Sequence, residues 1–190
     1  MSLRSIIAVL LLSVAAVGQT RAEQLIAAAR TQISVTTGYD GRYVRISYPD
    51  GDVDSRSGVC TDVVIRAFRK LHVDLQKEVH EDMLHGFSAY PRRWGMRAPD
   101  SNIDHRRVPN LMTYFSHKGK ALPVSTISND YAPGDIVAWD LGHGVTHIGI
   151  VSNEKALLQR HYKIIHNIGG GAKEEDMLFQ FKIIGHYRYF

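Results

Sequence analysis

One cysteine, Cys60, stands among ten histidines in this 190-residue chain. A thiol beside an imidazole can do nucleophilic chemistry, because the imidazole takes the thiol proton and the sulfur attacks a carbonyl. Cys60 follows Ser57-Gly58-Val59 and precedes Val63, Val64, Ala67, Phe68 and Leu71. Those five recur on one face of a 3.6-residue period, so the spacing predicts a helix starting about Cys60. In its first turn, unpaired N–H groups and the positive end of the helix dipole would hold the thiol below its ordinary pKa of about 8.5. A buried structural cysteine is the competing reading. The polar Thr61 and Asp62 come next, and the apolar face starts only at Val63, which favours a partly exposed, reactive thiol.

Geometry must choose among the histidines. His147 opens the segment His147–Ser152 and His166 lies near the end of Tyr162–Asn167, both of which read as strands. A hairpin centred between Ala156 and Leu157 would set His147 directly opposite His166. Directly opposed residues lie about 4.5–5.5 Å apart at Cβ. One ring could then abstract the thiol proton while the other orients it. A slip of one residue would send the two rings to opposite faces.

The elements that must hold these residues follow from the pattern. Glu23 to Gln32 reads as a helix, and Thr36 to Gly58 as a long irregular segment. Glu78 to Leu84 and Val108 to His117 read as short helices. Asp135 to Trp139 and Phe181 to Tyr189 read as further strands, punctuated by Pro133-Gly134 and Gly169-Gly170-Gly171. Helices first and strands afterwards predict an α+β domain with an antiparallel sheet.

The order of Cys60, then His147 on a Gly-containing strand, then His166 on the next, resembles the NlpC-type peptidases of bacterial cell walls. Pro133-Gly134-Asp135-Ile136-Val137 resembles that superfamily's Gly-Asp-apolar-apolar strand, and His147-Ile148-Gly149-Ile150-Val151 its His-apolar-Gly-apolar motif. Gly58-Val59-Cys60-Thr61-Asp62 with His166-Asn167-Ile168-Gly169 is similar to an uncharacterised exported branch. The resemblance implies a papain-like core, with the nucleophile helix packed on an antiparallel sheet. It implies Cys60, His147 and His166 as catalytic residues. It also places Tyr48, twelve residues before Cys60, at a position where the family often has an active-site tyrosine. Tyr48 and Asp62 are the candidates for the oxyanion and substrate side. The chain departs from the family in having Val59-Cys60-Thr61-Asp62 where Asp-Cys-Ser-Gly is usual. It also carries extra length at about 73–130, read as an insertion forming a lid or groove wall.

The first 22 residues read as a signal peptide: Arg4, then the apolar run Ile6 to Val17, then Thr20-Arg21-Ala22 as a small-x-small cleavage site. One catalytic domain over 23–190, in the periplasm or secreted, is then expected, with no stable membrane insertion after cleavage. Cleavage would remove two of the 23 basic residues and none of the 19 acidic ones, halving the net charge of +4. The remaining Lys and Arg are scattered, which argues against a nucleic-acid partner. Asp104-His105-Arg106-Arg107 could contact an acidic peptide stem, but reads first as a solvated charged loop. No cofactor and no metal are expected: His80 and His85 are five apart, where a zinc-protease helix needs four. The absence of a Cys-x-x-Cys pair argues against thiol redox work. The resemblance implies hydrolysis of an amide, with a peptidoglycan stem peptide or another amide as partner. An acyltransferase on the same core and a non-catalytic wall-binding domain are the alternatives.

Overall fold

The computed structural model describes residues 18–190; the apolar run Ile6–Val17 lies outside them. Helices α1 (Arg21–Arg30), α2 (Cys60–Lys70), α3 (Leu75–Gly86) and α4 (Val108–His117) come first. Strands β1 (Ile136–Asp140), β2 (Thr146–Lys155), β3 (Tyr162–His166), β4 (Lys173–Glu175) and β5 (Lys182–Tyr187) follow. The strands form one antiparallel sheet in the order β4-β3-β2-β1-β5. The α+β architecture is the one the pattern predicts.

Alternation along the strands divides the core between two faces. Ile136, Ala138, Ile148, Ile150 and Ile165 pack with the apolar faces of α1 and α2. Val137, Trp139, Val151 and Ile164 turn the other way, onto Tyr131, Met177 and Leu178. The predicted α2 face, Val63, Val64, Ala67, Phe68 and Leu71, is buried throughout. α2 is thereby laid across the sheet with its first residue close to β2.

α1 begins two residues before the expected Glu23. Thr20 accepts from the Glu23 N–H at 3.2 Å, and the Glu23 carboxylate receives the Thr20 N–H at 2.8 Å. This reciprocal capping box satisfies two donors at the helix start. Arg21 donates to the Leu71 carbonyl and its guanidinium lies 4.5 Å over the Phe190 ring. A cut after Ala22 would remove both the cap and these contacts.

The segment 73–130 holds α3 and α4 and packs both against α2 through Leu75, Val79, Met83, Leu111 and Phe115. The Asp104–Arg107 stretch is not a solvated loop: Asp104, His105 and Arg106 are buried in a 3-10 turn. Among the described residues no helix is long and apolar enough to cross a membrane.

Candidate active site

Cys60 is the first residue of α2, as its surroundings predict. The turn into the helix is held by Asp62, whose carboxylate accepts the Val59 N–H at 2.6 Å. Gly58 is needed for that approach, since a Cβ there would lie 2.9 Å from the Asp62 carboxylate. The thiol's environment corrects one expectation. Cys60 is only 4 % exposed, and burial pushes its thiol up to about 12. Backbone amides of Ile148, Thr61 and Cys60 favour the thiolate, as a helix start should, but desolvation outweighs them. At neutral pH Cys60 is therefore a thiol.

His147 and His166 are brought together, though not by direct opposition. β2 and β3 pair Ile150 with Ile165, and a bulge separates that register from Lys155 opposite Tyr162. His166 thus falls opposite Gly149, and His147 is its diagonal neighbour. The offset from the expected register is two residues, so both rings keep the same face. Gly149 makes room: a Cβ there would meet the Ile164 Cγ2 at 2.6 Å and the His166 Cβ at 3.1 Å. His147 Nε2 and His166 Nδ1 lie 2.8 Å apart.

The run continues to a residue that the sequence reading missed. His166 Nε2 lies 3.1 Å from a carboxylate oxygen of Glu175 on β4. A carboxylate can only accept, so His166 carries its proton on Nε2 and presents a bare Nδ1. That Nδ1 must accept from His147, which places the His147 proton on Nε2 and leaves its Nδ1 as a base. Burial, with His166 adding to it, pushes His147 down to about 3. Burial also lowers His166, against the opposing pull of Glu175. Both imidazoles are neutral at neutral pH. Among the described residues no hydrogen bond joins Cys60 to His147; the link between them is Ile148, next to His147, whose N–H acts on the thiol. His161 and His186 are engaged elsewhere, with Asp176 and Asp135 at 2.7 Å each.

Cys60 opens onto a groove of about 480 Å³ whose walls include Tyr39, Tyr43, Trp94, Arg107 and Val145. The two remaining sequence candidates stand elsewhere. Tyr48 packs edge-on against His80, with ring centroids 5.2 Å apart, and does not line the groove. Tyr39 lines the groove with Cys60 instead; burial raises its hydroxyl pKa, and the neighbouring Cys60 adds to the rise. Asp62 is buried and cannot meet a substrate; Arg106 Nε and Nη2 each donate to it at 2.9 Å. Asn167 fixes the loop before Cys60 by donating to the carbonyls of Gly38 and Gly58.

Comparison with known proteins agrees with this architecture. The family described as "Domain of unknown function (DUF1287)" matches residues 26–189. The "Uncharacterized protein YijF" of Escherichia coli (strain K12) is 56% identical over 162 residues, covering 85% of this chain and 78% of its own. Among solved structures, NlpC2 from Trichomonas vaginalis superposes with a TM-score of 0.51 at 16% identity. That match covers 90% of this chain and 47% of the other, so the chain spans about half the length of the solved protein. The likeness shows an NlpC-like fold, with helices packed on an antiparallel sheet. By the extent and strength of the sequence match, the chain belongs to the DUF1287 family.

Proposed function

We propose that the protein is a thiol hydrolase that cleaves an amide bond, and that its substrate lies in the peptide part of peptidoglycan. The observation that carries this is the hydrogen-bonded run His147–His166–Glu175, which ends on the strand that touches the Cys60 helix. Two buried histidines tied to a half-buried carboxylate in this way are costly to bury and have no evident structural task. A proton relay gives them one.

In this reading the groove receives the substrate and brings its carbonyl to the sulfur. His147 Nδ1 takes the thiol proton as the sulfur attacks, so the thiolate is formed during the reaction and is not stored beforehand. The imidazolium then hands the proton to the leaving amine, and the acyl group stays on Cys60 until water displaces it. The Cys60 N–H, with Tyr39 beside it, receives the oxyanion. His166 holds the His147 tautomer and Glu175 holds that of His166. Export to the periplasm, proposed from Arg4 and the Ile6–Val17 run, would put the enzyme where peptidoglycan is.

Digestion in water enriched in oxygen-18 tests the reading. Purified peptidoglycan fragments incubated with the protein should yield paired products, with the label in the newly released carboxyl group. Unchanged fragments would contradict the substrate class. Transfer to an amine without label would identify an acyltransferase instead.

A further inference from the structure

Arg106 and Arg107 are consecutive, yet their guanidinium groups have opposite surroundings. Arg106 is fully engaged: besides Asp62, it donates to the carbonyls of Asp40 and Arg42. The Arg106 carbonyl also accepts the Thr61 hydroxyl at 3.0 Å, one residue after the nucleophile. These contacts clamp the 73–130 segment to the start of α2 and leave Arg107 in the groove wall beside Cys60.

Arg107 has no comparable partner. Its Nη1 is buried with no hydrogen-bond partner among the described residues. The nearest carboxylate oxygen, on Asp104, is 3.6 Å away, beyond hydrogen-bond reach. Asp104 is a loose counter-ion only: burial pushes it up to about 6, outweighing the downward pull of the Arg107 charge 3.6 Å away. Trp94, itself 59 % exposed, supports the guanidinium face with its ring centroid 4.7 Å from Cζ. The residues that line the groove include both arginines and no carboxylate. An under-paired guanidinium on an aromatic face, in a cleft without acids, is built for a planar anion from outside.

We infer that Arg107 is the groove's carboxylate receptor: the amide substrate carries a carboxylate that meets Arg107 when its scissile carbonyl is at Cys60. This rests on the thiol-hydrolase reading and adds that the substrate is anionic close to the bond cleaved. It also gives the 73–130 segment a task in selecting that substrate. An uncharged amide would leave the guanidinium without a partner after water is expelled, and would bind less well.

Thiol-directed probes read this without requiring turnover. 3-Maleimidopropionic acid and its carboxamide differ in charge alone, and both place their polar end a few ångströms beyond the sulfur they label. At pH 9, the folded protein should favour the acid over the carboxamide by about tenfold more than free cysteine does, which is the scale of one charge-assisted hydrogen bond. Arg107→Gln should remove that preference, and Arg107→Lys should keep part of it, with folding checked by circular dichroism. The inference is overturned if the wild-type ratio equals that of free cysteine. It is equally overturned if Arg107→Gln keeps the preference, or if neither reagent reaches the folded thiol. Hydrolysis of peptidoglycan fragments without any charge preference would remove Arg107 from this role and leave the hydrolase standing. A clear preference without hydrolysis would do the reverse.

Discussion

Replacing His147 with alanine should cut kcat/KM by at least about a thousandfold, the upper range of what positioned acid–base catalysis contributes. The loss should approach that of Cys60→Ala, because a nucleophile and its base fail together. His166→Gln should be much milder, within about a hundredfold, because a side-chain amide oxygen can still accept the His147 Nε2 proton. Glu175→Gln should be milder again. Its carboxylate is 44 % exposed and acts only by fixing the His166 tautomer, which an amide oxygen can also do. The pH profile carries a second signature. Its acid limb reports the base of the free enzyme, and His147 is pushed down to about 3. Activity should therefore persist as pH falls well below the ordinary histidine range, and fail only as His147 becomes protonated. An activity that halves near pH 6.5, or an inactive His166→Gln beside a working His147→Ala, would reverse the assignment.

The second large effect falls on stability. Arg106→Ala should destabilise the fold by about 3–5 kcal/mol, since it leaves the buried Asp62 carboxylate without its guanidinium. The same carboxylate caps the start of α2 at Val59, so the position of Cys60 depends on this pair. Arg106→Lys should recover little, because one ammonium cannot reproduce two parallel bonds to Asp62 and two to backbone carbonyls. Urea titration, read from the midpoint at constant slope, measures the loss. A change below about 1 kcal/mol would mean that Asp62 finds another partner or water, and that the clamp between α2 and the 73–130 segment is weak.

What the residues declared and what they hid follow from how far each signal reaches. Local periodicity placed α2, α4 and the strands, because each element carries its own apolar face. α4 agrees to the residue with the predicted Val108–His117. The His147–His166 partnership was also legible, since any even offset of β2 against β3 keeps both rings on one face. The exact register was not, because the bulge between Val151 and Lys155 leaves no mark in the alternation. Glu175 was invisible for a different reason. β4 is three residues, Lys-Glu-Glu, at the sheet edge, and a short charged edge strand has no hydrophobic pattern to detect.

The arginine stretch was misread because its partners are remote. Arg106 lies 44 residues from Asp62 in the chain, and no local rule connects a basic run to a buried acid that far away. Tyr48 was chosen by a borrowed spacing, but it turns toward His80, and the irregular segment after α1 brings Tyr39 to the groove. The thiol's burial depends on how β2 and the groove walls close over the start of α2, which helix position alone does not reveal. Desolvation governs Cys60 and exceeds the backbone amides that act on it as expected.

The central claim is that an acyl group passes through the Cys60 sulfur. Rapid acid quenching of the protein during digestion of peptidoglycan fragments, followed by intact-mass analysis and peptide mapping, tests it most directly. The account predicts a mass increase equal to the acyl half of the cleaved fragment, confined to the peptide containing Cys60 and absent from Cys60→Ala, which should release no product. Continued cleavage by Cys60→Ala at the wild-type rate, or an adduct on any other residue, would contradict it.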